Sequence, residues 1–407
     1  MSSPRVLIAG AGHAGYQVAT SLRSAGFDGH VTLVGDEPCL PYQRPPLSKD
    51  YLLGKVPEEL VPFRAPAFYP DHDIEVRVGA AVAGIDRDRR HVALASGEDD
   101  LGYDHLVLAL GARCRQLGLP GSDLRGVVEL RTRADAELLR RQLTPGVRVA
   151  VVGGGFIGLE VAAAARSLGA EVTVLEASPE LMGRVLSRPT AAHLADLHGR
   201  SGVNIRCATG VAAIEGTDGR VTAVRTATGD LLDADVVVLG VGVVPNTELA
   251  ADAGLVVDNG IVVDHDLLTS DTAISAIGDC ASFPTRFSPH PTRLESVQNA
   301  ADQARHVAAR LTGRADGPYD AVPYFWSSQY AAKLQIAGLR NGHDHTVRRG
   351  GVDAFSTFCF QGDRLLAVES VNAPADHLAA RKILSAQTRI TPDQAADMSV
   401  KLRTLVP

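Results

Sequence analysis

The stretch VVGGGFIGLE at residues 151–160 joins an apolar strand to three glycines spaced G-x-G-x-x-G, and a helical pattern follows. Glycines at this spacing permit a tight turn, a close approach of the backbone to a pyrophosphate, and close packing of helix on strand. The stretch LIAGAGHAG at residues 7–15 has the same spacing. One such loop is weak evidence, but two loops in one chain predict two dinucleotide sites.

The segments around the two loops repeat one order of predicted elements. Residues 82–112 and 211–242 extend the repeat, because each shows two alternating strands followed by a fully apolar strand. The sequence therefore predicts an α/β fold with two Rossmann-like dinucleotide-binding domains, each a parallel sheet with an inserted β-meander. The repeated elements are strand 5–9, helix 14–24 and strand 30–34 in the first copy, and strand 147–152, helix 156–167 and strand 171–175 in the second.

The repeat also predicts the domain boundaries. The first domain covers residues 1–112 and resumes at 245–318, so it is discontinuous, and the second domain covers 113–244. Residues 319–407 hold most of the aromatic side chains among alternating strands, which predicts a C-terminal α+β domain.

Composition excludes several classes of protein. No apolar run approaches the ~20 residues needed to cross a bilayer, and the N-terminus lacks the pattern of a secretion signal, which predicts a cytoplasmic protein without a membrane partner. A net charge of −7 argues against a nucleic-acid partner. The five cysteines are scattered singly, so neither a metal site nor a local redox dithiol is predicted.

Within each loop the glycines have separate roles, and an acid follows about 20 residues later. Asp36 is that acid in the first copy and Glu176 in the second. A carboxylate at this place accepts hydrogen bonds from ribose hydroxyls and repels a 2′-phosphate, so Glu176 favours NADH over NADPH unless Arg184 folds back towards it. Gly10 and Gly153 permit the turn, Gly12 and Gly155 permit the approach of the phosphate, and Gly15 and Gly158 permit helix packing.

The whole chain resembles the FAD-dependent, NADH-oxidising ferredoxin reductases of the glutathione-reductase superfamily. Residues 109–111 depart from the family's Ala-Thr-Gly stretch, since they read Ala-Leu-Gly and keep only the turn glycine. The motifs that carry the resemblance are GAGHAG (10–15), PYQRPPLSK (41–49), GGGFIGLEVAAAA (153–165), VGVVPN (241–246), AIGDCA (276–281), RLESVQNA (293–300) and FWSSQY (325–330).

The resemblance assigns the first loop to FAD and the second to NADH. It implies that Asp279 hydrogen-bonds the flavin's ribityl chain or phosphate, although a strand-end turn carboxylate is the alternative. Trp326, the chain's single tryptophan, would flank the flavin edge or simply belong to the core. The other implied FAD contacts are Ala14, Asp36, Arg44, Lys49, Val82, Arg131 and Val297, and the NAD side comprises Gly153, Gly155, Gly158, Glu160, Glu176 and Gly242.

Two charged residues are the candidates for catalysis. Lys49 follows two prolines that stiffen its approach, and its ammonium would stabilise the charge of a reduced flavin; the alternative is an ordinary surface lysine. Glu160 lies near the start of the second loop's helix, where the resemblance implies that it pairs with Lys49. Otherwise Glu160 would be an acid favoured by the helix dipole.

The electron acceptor implied by the resemblance is a [2Fe–2S] ferredoxin that serves a P450 monooxygenase or a dioxygenase. The cysteine spacing supplies no second redox centre, so the flavin would release its electrons directly to this partner. Residues 319–407 carry ten Lys and Arg against eight acids, an excess of +2 in a chain of −7, which favours docking of an acidic ferredoxin there. A monomer or weak dimer is expected.

Two other functions compete with this interpretation. Cys39 lies in a region where flavoenzymes of the same fold carry a reactive cysteine, so an NADH oxidase, a peroxidase or a coenzyme A disulfide reductase is the alternative enzyme. Free cysteines are more often inert, and the RPPLSK continuation favours the ferredoxin reductases. A flavoprotein that binds nucleic acid is the second alternative, and the acidic composition opposes it.

Overall fold

The computed structural model describes residues 3–97 and 100–406, and this part of the chain forms two compact units. The first unit contains residues up to Gln43, Glu59–Arg113 and Val244–Phe325. The second contains Arg44–Glu58, Cys114–Val243 and the chain from Trp326 onwards. Residues 44–58 thus group with the second unit, whereas the predicted boundaries put them in the first domain, and the cofactor assigned to each domain stays a prediction.

The strands and helices are numbered here in chain order. The strands are β1 (Arg5–Ala9), β2 (His30–Val34), β3 (Ile74–Arg77), β4 (Val82–Asp86), β5 (His91–Leu94), β6 (Leu101–Gly102), β7 (His105–Leu108), β8 (Ala112–Cys114), β9 (Val127–Glu129), β10 (Arg148–Val152), β11 (Glu171–Leu175), β12 (Asn204–Arg206), β13 (Val211–Thr217), β14 (Arg220–Thr226), β15 (Leu231–Asp233), β16 (Val236–Leu239), β17 (Val243–Pro245), β18 (Ile261–Val262), β19 (Ile274–Ala276), β20 (Ala281–Ser282), β21 (Tyr324–Gln329), β22 (Ala332–Gly338), β23 (His345–Gly350), β24 (Phe355–Gln361) and β25 (Arg364–Val371). The helices are α1 (His13–Ser24), α2 (Phe68–Asp71), α3 (Arg133–Gln142), α4 (Phe156–Ser167), α5 (Arg188–Arg200), α6 (Glu248–Asp252), α7 (Val297–Leu311), α8 (Pro374–Ser385) and α9 (Pro392–Ala396). Short 3₁₀ turns lie at Pro45–Ser48, Glu58–Leu60, Gly278–Cys280 and Leu402–Thr404.

A five-stranded parallel sheet forms the centre of the first unit. Its strand order is β19-β7-β1-β2-β3, and β1 and β7 are almost entirely buried. Parallel strands covered on both faces require continuous apolar sequences, which both of these strands have. Helices α1 and α7 pack together beside this sheet, and β4-β5-β6 form the inserted antiparallel meander.

The sheet of the second unit repeats that arrangement. Its order is β12-β11-β10-β16-β9, again with parallel pairing, and β13-β14-β15 form its antiparallel meander. Strands β10, β11 and β16 correspond to β1, β2 and β7. The outermost strand beside β7 is β19, which comes later in the chain than β7. The outermost strand beside β16 is β9, which comes earlier in the chain than β16.

An ion pair at the start of each sheet repeats as well, and the sequence analysis did not identify it. The backbone amide of Arg5 donates to Asp104 at 2.8 Å, and that of Arg148 donates to Asp235 at 3.0 Å. Each arginine also reaches its carboxylate with the guanidinium, and in the second unit these hydrogen bonds lower the pKa of Asp235. The pair ties the first residue of a central strand to the residue that precedes its neighbouring strand.

The C-terminal segment forms a sheet of a different kind. Its order is β21-β22-β25-β24-β23, with antiparallel pairing along β22, β25, β24 and β23, and α8 packs on β22 and β25. Two parallel sheets with meanders and an antiparallel C-terminal sheet confirm the predicted fold class. Among the described residues, no helix is both long enough and apolar enough to cross a membrane.

Candidate functional site

The first glycine loop has a backbone that only glycine can adopt without strain. Gly10 has φ of +110°, and a Cβ there would lie 2.2 Å from the carbonyl oxygen of Ala109. A Cβ at Gly15 would lie 1.9 Å from the carbonyl oxygen of Gly10. At Gly12 a Cβ would meet no described atom within 4 Å. The start of α1 therefore exposes backbone N–H groups beside open space, as phosphate binding requires.

Other predicted FAD residues of the first unit lie beside this loop. The turn at Gly278–Cys280 lies close to Ala14. Gly278 has φ of +75°, and a Cβ there would lie 3.2 Å from the Ala14 Cβ. Asp279 is half-buried in the same turn, and its carbonyl accepts a hydrogen bond from Arg293 at 3.2 Å. Val297 begins α7, which packs against the turn.

Two further predicted residues lie at the carboxyl end of β2. Asp36 is exposed one residue beyond Gly35, and Val82 begins the meander. The amide of Ala80 donates to the carbonyl of Gly35 at 2.8 Å, which holds these two segments together. The sequence analysis assigned Asp36 and Val82 to one site only through the family resemblance. The hydrogen bond between their neighbours Gly35 and Ala80 shows how the two segments are held together.

The second glycine loop has the same backbone in the second unit. Gly153 has φ of +105°, and a Cβ there would lie 2.4 Å from the carbonyl oxygen of Gly240. A Cβ at Gly158 would lie 2.2 Å from the carbonyl oxygen of Gly153, whereas one at Gly155 would meet no described atom within 4 Å. Gly242, also predicted for this site, is exposed with φ of +94°.

Glu176 is held against the second loop by backbone amides. Gly154 donates to one carboxylate oxygen at 2.7 Å, and Ser178 donates to the other at 2.7 Å. Arg184, which the sequence left as a possible partner, is exposed. Cys207 lies near Glu176, and burial together with that carboxylate raises the pKa of its thiol. The sequence analysis did not connect Cys207 with this site, because only the pairing of β11 with β12 brings it there.

Glu160 and Lys49 form a buried ion pair in the second unit. Their atoms Oε2 and Nζ are 2.6 Å apart, and the exposed fractions of the two side chains are 2% and 21%. Ser48 donates to Oε2 at 2.5 Å and Ser327 donates to Oε1 at 2.6 Å. An ionised carboxylate accepts but cannot donate, so three donors surround a group that is buried only because it is fully paired.

Local sequence explains how Lys49 reaches this carboxylate. Pro45 and Pro46 open a 3₁₀ turn, and Lys49 is the residue that closes it. Its ammonium donates a second hydrogen bond to the carbonyl of Pro45 at 3.2 Å. Because proline fixes φ, the turn presents Lys49 with little conformational freedom left to lose.

Ser48 and Ser327 are functional candidates that the sequence analysis missed. Both are buried, and the hydroxyl group of each donates a hydrogen bond to Glu160. Ser327 is 167 positions from Glu160 in the sequence. Serine is too common for its type alone to predict such a contact, and only the tertiary structure reveals it.

Two predicted FAD contacts meet near the start of α3. The guanidinium of Arg44 donates to the carbonyl of Arg131 at 2.7 Å, and the amide of Arg131 donates to Asp135 at 3.0 Å. Asp135 also closes a capping box with Thr132 at the start of that helix. Trp326 is half-buried on β21, directly before Ser327.

The cysteines offer little support for thiol chemistry. Burial raises the pKa of Cys114 and that of Cys280 to about 11, and it raises the pKa of Cys359 further. Such thiols stay protonated at neutral pH, and the thiolate is the reactive form. Cys39, on which the alternative enzyme depends, is half-buried after β2. In the described ranges, no group of three His, Cys, Asp or Glu could hold a metal ion.

One of the ten cations of residues 319–407 lies inside the fold. Arg349 is buried and donates to the carbonyls of Ala395, Asp397 and Val400, so it cannot contribute to a docking surface. Glu369 is buried as well. Removing one cation and one acid leaves the excess of this segment at +2.

Family comparison agrees with this architecture. Residues 4–304 match the family described as pyridine nucleotide-disulphide oxidoreductase, and residues 324–406 match the family described as reductase C-terminal. The chain belongs to the pyridine nucleotide-disulphide oxidoreductase family, and within it to the FAD-dependent ferredoxin reductases, which confirms the predicted resemblance and the cofactors FAD and NADH.

Individual relatives are similar along nearly their whole length. Rhodocoxin reductase of Rhodococcus erythropolis is 52% identical over 403 residues, which cover 98% of this chain and 94% of the relative. The crystal structure of the ferredoxin reductase for the CYP199A2 system from Rhodopseudomonas palustris has a TM-score of 0.96 at 48% identity and covers 99% of this chain and all of that one. The covalent putidaredoxin reductase–putidaredoxin complex has a TM-score of 0.96 at 42% identity, with coverage of 100% and 98%.

Proposed function

We propose that this protein oxidises NADH and passes the electrons, through FAD, to a [2Fe–2S] ferredoxin that serves a P450 monooxygenase or a dioxygenase. The observation that carries the proposal is the presence of two glycine loops with the same backbone, one in each unit. Each combines a glycine that cannot be replaced without a clash and a glycine whose Cβ would project into open space. Such loops fit the pyrophosphates of two dinucleotides.

The residues proposed to hold the cofactors follow from the loops and the family. When bound, FAD accepts a hydride from NADH and releases the electrons singly, and the protein contributes binding, orientation and charge. The proposed FAD contacts are Gly10, Gly12, Ala14, Gly15, Asp36, Arg44, Lys49, Val82, Arg131, Asp279, Val297 and Trp326. The proposed NADH contacts are Gly153, Gly155, Gly158, Glu160, Glu176 and Gly242.

Glu176 supports the choice of NADH over NADPH. Both of its oxygens already accept from backbone amides, which fixes the carboxylate at the end of β11 beside the loop. A ribose hydroxyl can donate to the remaining lone pairs, whereas a 2′-phosphate would meet a fixed negative charge. The exposed Arg184 does not neutralise that charge by pairing with these oxygens.

The Lys49–Glu160 pair supports the catalytic proposal. A buried carboxylate with three donors keeps one ammonium in a fixed position, and a fixed positive charge stabilises negative charge that develops beside it. In this proposal Lys49 acts directly, and Glu160 orients it. Ser48 and Ser327 hold Glu160.

A ferredoxin partner is supported by a relative and by charge. A solved structure that is 42% identical is titled as a complex of putidaredoxin reductase with putidaredoxin. The excess of +2 in residues 319–407 would attract an acidic iron–sulfur protein to this otherwise acidic chain. A cytoplasmic location is proposed with it, since unpaired cysteine spacing is typical of a reducing compartment and NADH is the electron donor.

The test is an anaerobic reduction followed by an acceptor assay. We expect NADH to bleach the flavin at least tenfold faster than NADPH at equal concentration, and cytochrome c to be reduced rapidly only after a [2Fe–2S] ferredoxin is added. Equal rates of cytochrome c reduction with and without ferredoxin would contradict the proposal. Cys39→Ser is the control for the alternative enzyme: loss of NADH oxidation with every acceptor would favour the cysteine mechanism.

A further inference from the structure

A line of buried polar side chains extends from Glu160 to His198 on α5. Ser327 and Gln329 are two positions apart on β21, so their side chains lie on the same face of the strand. The Gln329 amide nitrogen donates to the Ser327 hydroxyl at 3.1 Å, and His198 Nε2 lies 2.9 Å from the Gln329 carbonyl oxygen. The exposed fractions of Ser327, Gln329 and His198 are 1%, 2% and 0%.

The direction of every hydrogen bond in this line is fixed by chemistry. Ionised Glu160 can only accept, so the single hydroxyl proton of Ser327 points to it. The Ser327 oxygen must then accept from the Gln329 NH₂ group, which leaves the amide oxygen of Gln329 facing His198. His198 must therefore carry its proton on Nε2. Each member donates towards Glu160, and the line cannot run the other way while that carboxylate is ionised.

The far end of the line is apolar. His198 Nδ1 has no hydrogen-bond partner among the described residues, and the ring contacts Tyr330 edge to face, with centroids 5.2 Å apart. Burial lowers the pKa of His198, so the imidazole is neutral at neutral pH. A neutral imidazole has one N–H donor, and here it donates to the amide oxygen of Gln329.

We propose that Ser327, Gln329 and His198 are positioning residues that act through Glu160: their aligned donors hold the carboxylate directed at Lys49. The inference rests on the proposed function, in which Lys49 carries the working charge. A carboxylate buried in this way keeps an unsatisfied oxygen when one donor is removed, because solvent cannot replace the donor. Loss of one donor should therefore release Lys49 from its fixed position as well.

Among the described residues, few charged groups lie around Glu160. Lys49 faces it from the 44–58 segment. Helix α4 carries one other charged residue, Arg166, whose guanidinium donates to the carbonyls of Ser201 and Ala170. Strand β21 presents the Ser327 hydroxyl, and His198 on α5 is reached only through Gln329.

The first experiment measures the carboxylate without any turnover. The infrared carboxylate stretch of the oxidised, FAD-loaded protein is recorded at neutral pH, and the band that is lost in Glu160→Gln is assigned to this residue. In Ser327→Ala we expect that band to move, because one of its three donors is gone. In Gln329→Leu we expect a smaller move in the same direction, because the Ser327 hydroxyl still donates to Glu160 but is no longer held by the amide. An unchanged band in both variants would overturn the proposal.

The second experiment tests whether the line matters for hydride transfer. The maximal rate of flavin bleaching by NADH is measured at neutral pH for the same variants. We expect Ser327→Ala to lower this rate about tenfold and Gln329→Leu to lower it less, while the KM for NADH changes less than twofold. Ser327→Thr keeps the hydroxyl and should keep the wild-type rate. Gln329→Glu places a second acceptor on the Ser327 hydroxyl and should lower the rate further than Gln329→Leu.

The controls separate this proposal from the proposed function and from misfolding. Ser328→Ala changes the exposed neighbour on the opposite face of β21, and its infrared band and bleaching rate should be those of the wild type. Failure of the wild-type flavin to be bleached by NADH would count against the proposed function. Normal bleaching in the wild type, with wild-type infrared bands and bleaching rates in Ser327→Ala and Gln329→Leu, would count against the positioning line alone.

Discussion

The two glycine loops of this chain share a backbone but differ in the side chain that touches it. In the first loop Ala11 occupies the middle position, and a Cβ on Gly35 at the end of β2 would lie 2.6 Å from the Ala11 Cβ. In the second loop the middle position is Gly154, and the strand-end residue is Glu176. Each unit thus has room for one side chain between the loop and the end of the strand. In the first unit the loop provides it, as Ala11, and in the second unit the strand end provides it, as Glu176.

This difference decides where the acidic side chain of each unit lies relative to its loop. With Gly154 in the loop, the carboxylate of Glu176 reaches the loop amide directly. With Ala11 in the loop, the acid of the first unit comes one residue later, as the exposed Asp36. A repeated motif therefore does not imply a repeated ribose contact.

The helices that follow the loops differ in the same way. Gln17 and Glu160 hold corresponding positions, two residues after the third glycine. Gln17 donates to Ser21 on its own helix at 2.8 Å, whereas Glu160 accepts from Lys49, Ser48 and Ser327. The repeat supplies the frame of both units, and side chains outside the repeat supply the chemistry of the second.

The largest effect is expected where the two loops are most alike. Gly10→Ala and Gly153→Ala should each lower the free energy of unfolding by about 3 kcal/mol, because both residues have positive φ and a Cβ would lie within 2.4 Å of a backbone oxygen. Gly10→Ala should also yield protein without flavin. Gly153→Ala should retain flavin that NADH no longer bleaches, which absorbance and chemical denaturation would show.

The second glycine of each loop is the matched control. Gly12 and Gly155 have φ of −78° and −82°, and a Cβ there would point into open space. Alanine at either position should leave stability unchanged but weaken FAD or NADH binding about tenfold. If Gly155→Ala lost flavin and Gly12→Ala instead weakened NADH binding, the assignment of the loops would be reversed.

A smaller effect is expected where the helices differ. Glu160→Gln should slow flavin bleaching by NADH about 10²-fold, because the amide cannot hold the Lys49 ammonium as a carboxylate does. Stopped-flow measurement at saturating NADH would show this. Gln17→Glu, the matching change in the first unit, should leave the rate within twofold of the wild type. Equal losses in both variants would mean that Glu160 is only structural.

The smallest effect is expected from His105, which corresponds to Val236 in the second unit. Burial lowers the pKa of His105 to about 3, with a further contribution from Arg310 and an opposing one from Asp271. The unfolded chain therefore binds one more proton than the folded chain between about pH 6.5 and pH 3, so this residue makes stability fall as pH falls.

Replacing His105 should remove its contribution to the pH dependence of the free energy of unfolding. In His105→Val the loss of stability between about pH 6.5 and about pH 4.5 should be smaller by about 2 kcal/mol than in the wild type. Urea unfolding at the two pH values would measure it, with the Ser275–Arg310 hydrogen bond of 2.6 Å left in place. The same pH dependence in wild type and variant would show that the pKa of His105 is the same in the folded and the unfolded chain.

Much of the fold follows from the sequence because its determining features are local. Strands 5–9, 30–34 and 171–175 and helix 156–167 end where predicted, since apolar runs and glycines mark their limits. The pair of Lys49 with Glu160 could also be anticipated, although only through resemblance. Residues 44–58 group with the second unit, and nothing local in the sequence indicates with which unit such a segment packs.

The sequence by itself determined the duplicated α/β architecture and the position of both phosphate-binding loops, because glycine conformation and hydrophobic periodicity act over a few residues. Only the tertiary structure decided which side chains surround Glu160. Ser48, Ser327, Gln329 and His198 lie on three segments far apart in the chain, and their types are too common to predict a contact. A buried carboxylate requires donors, but the sequence does not say which residues provide them; the packing of the second unit does.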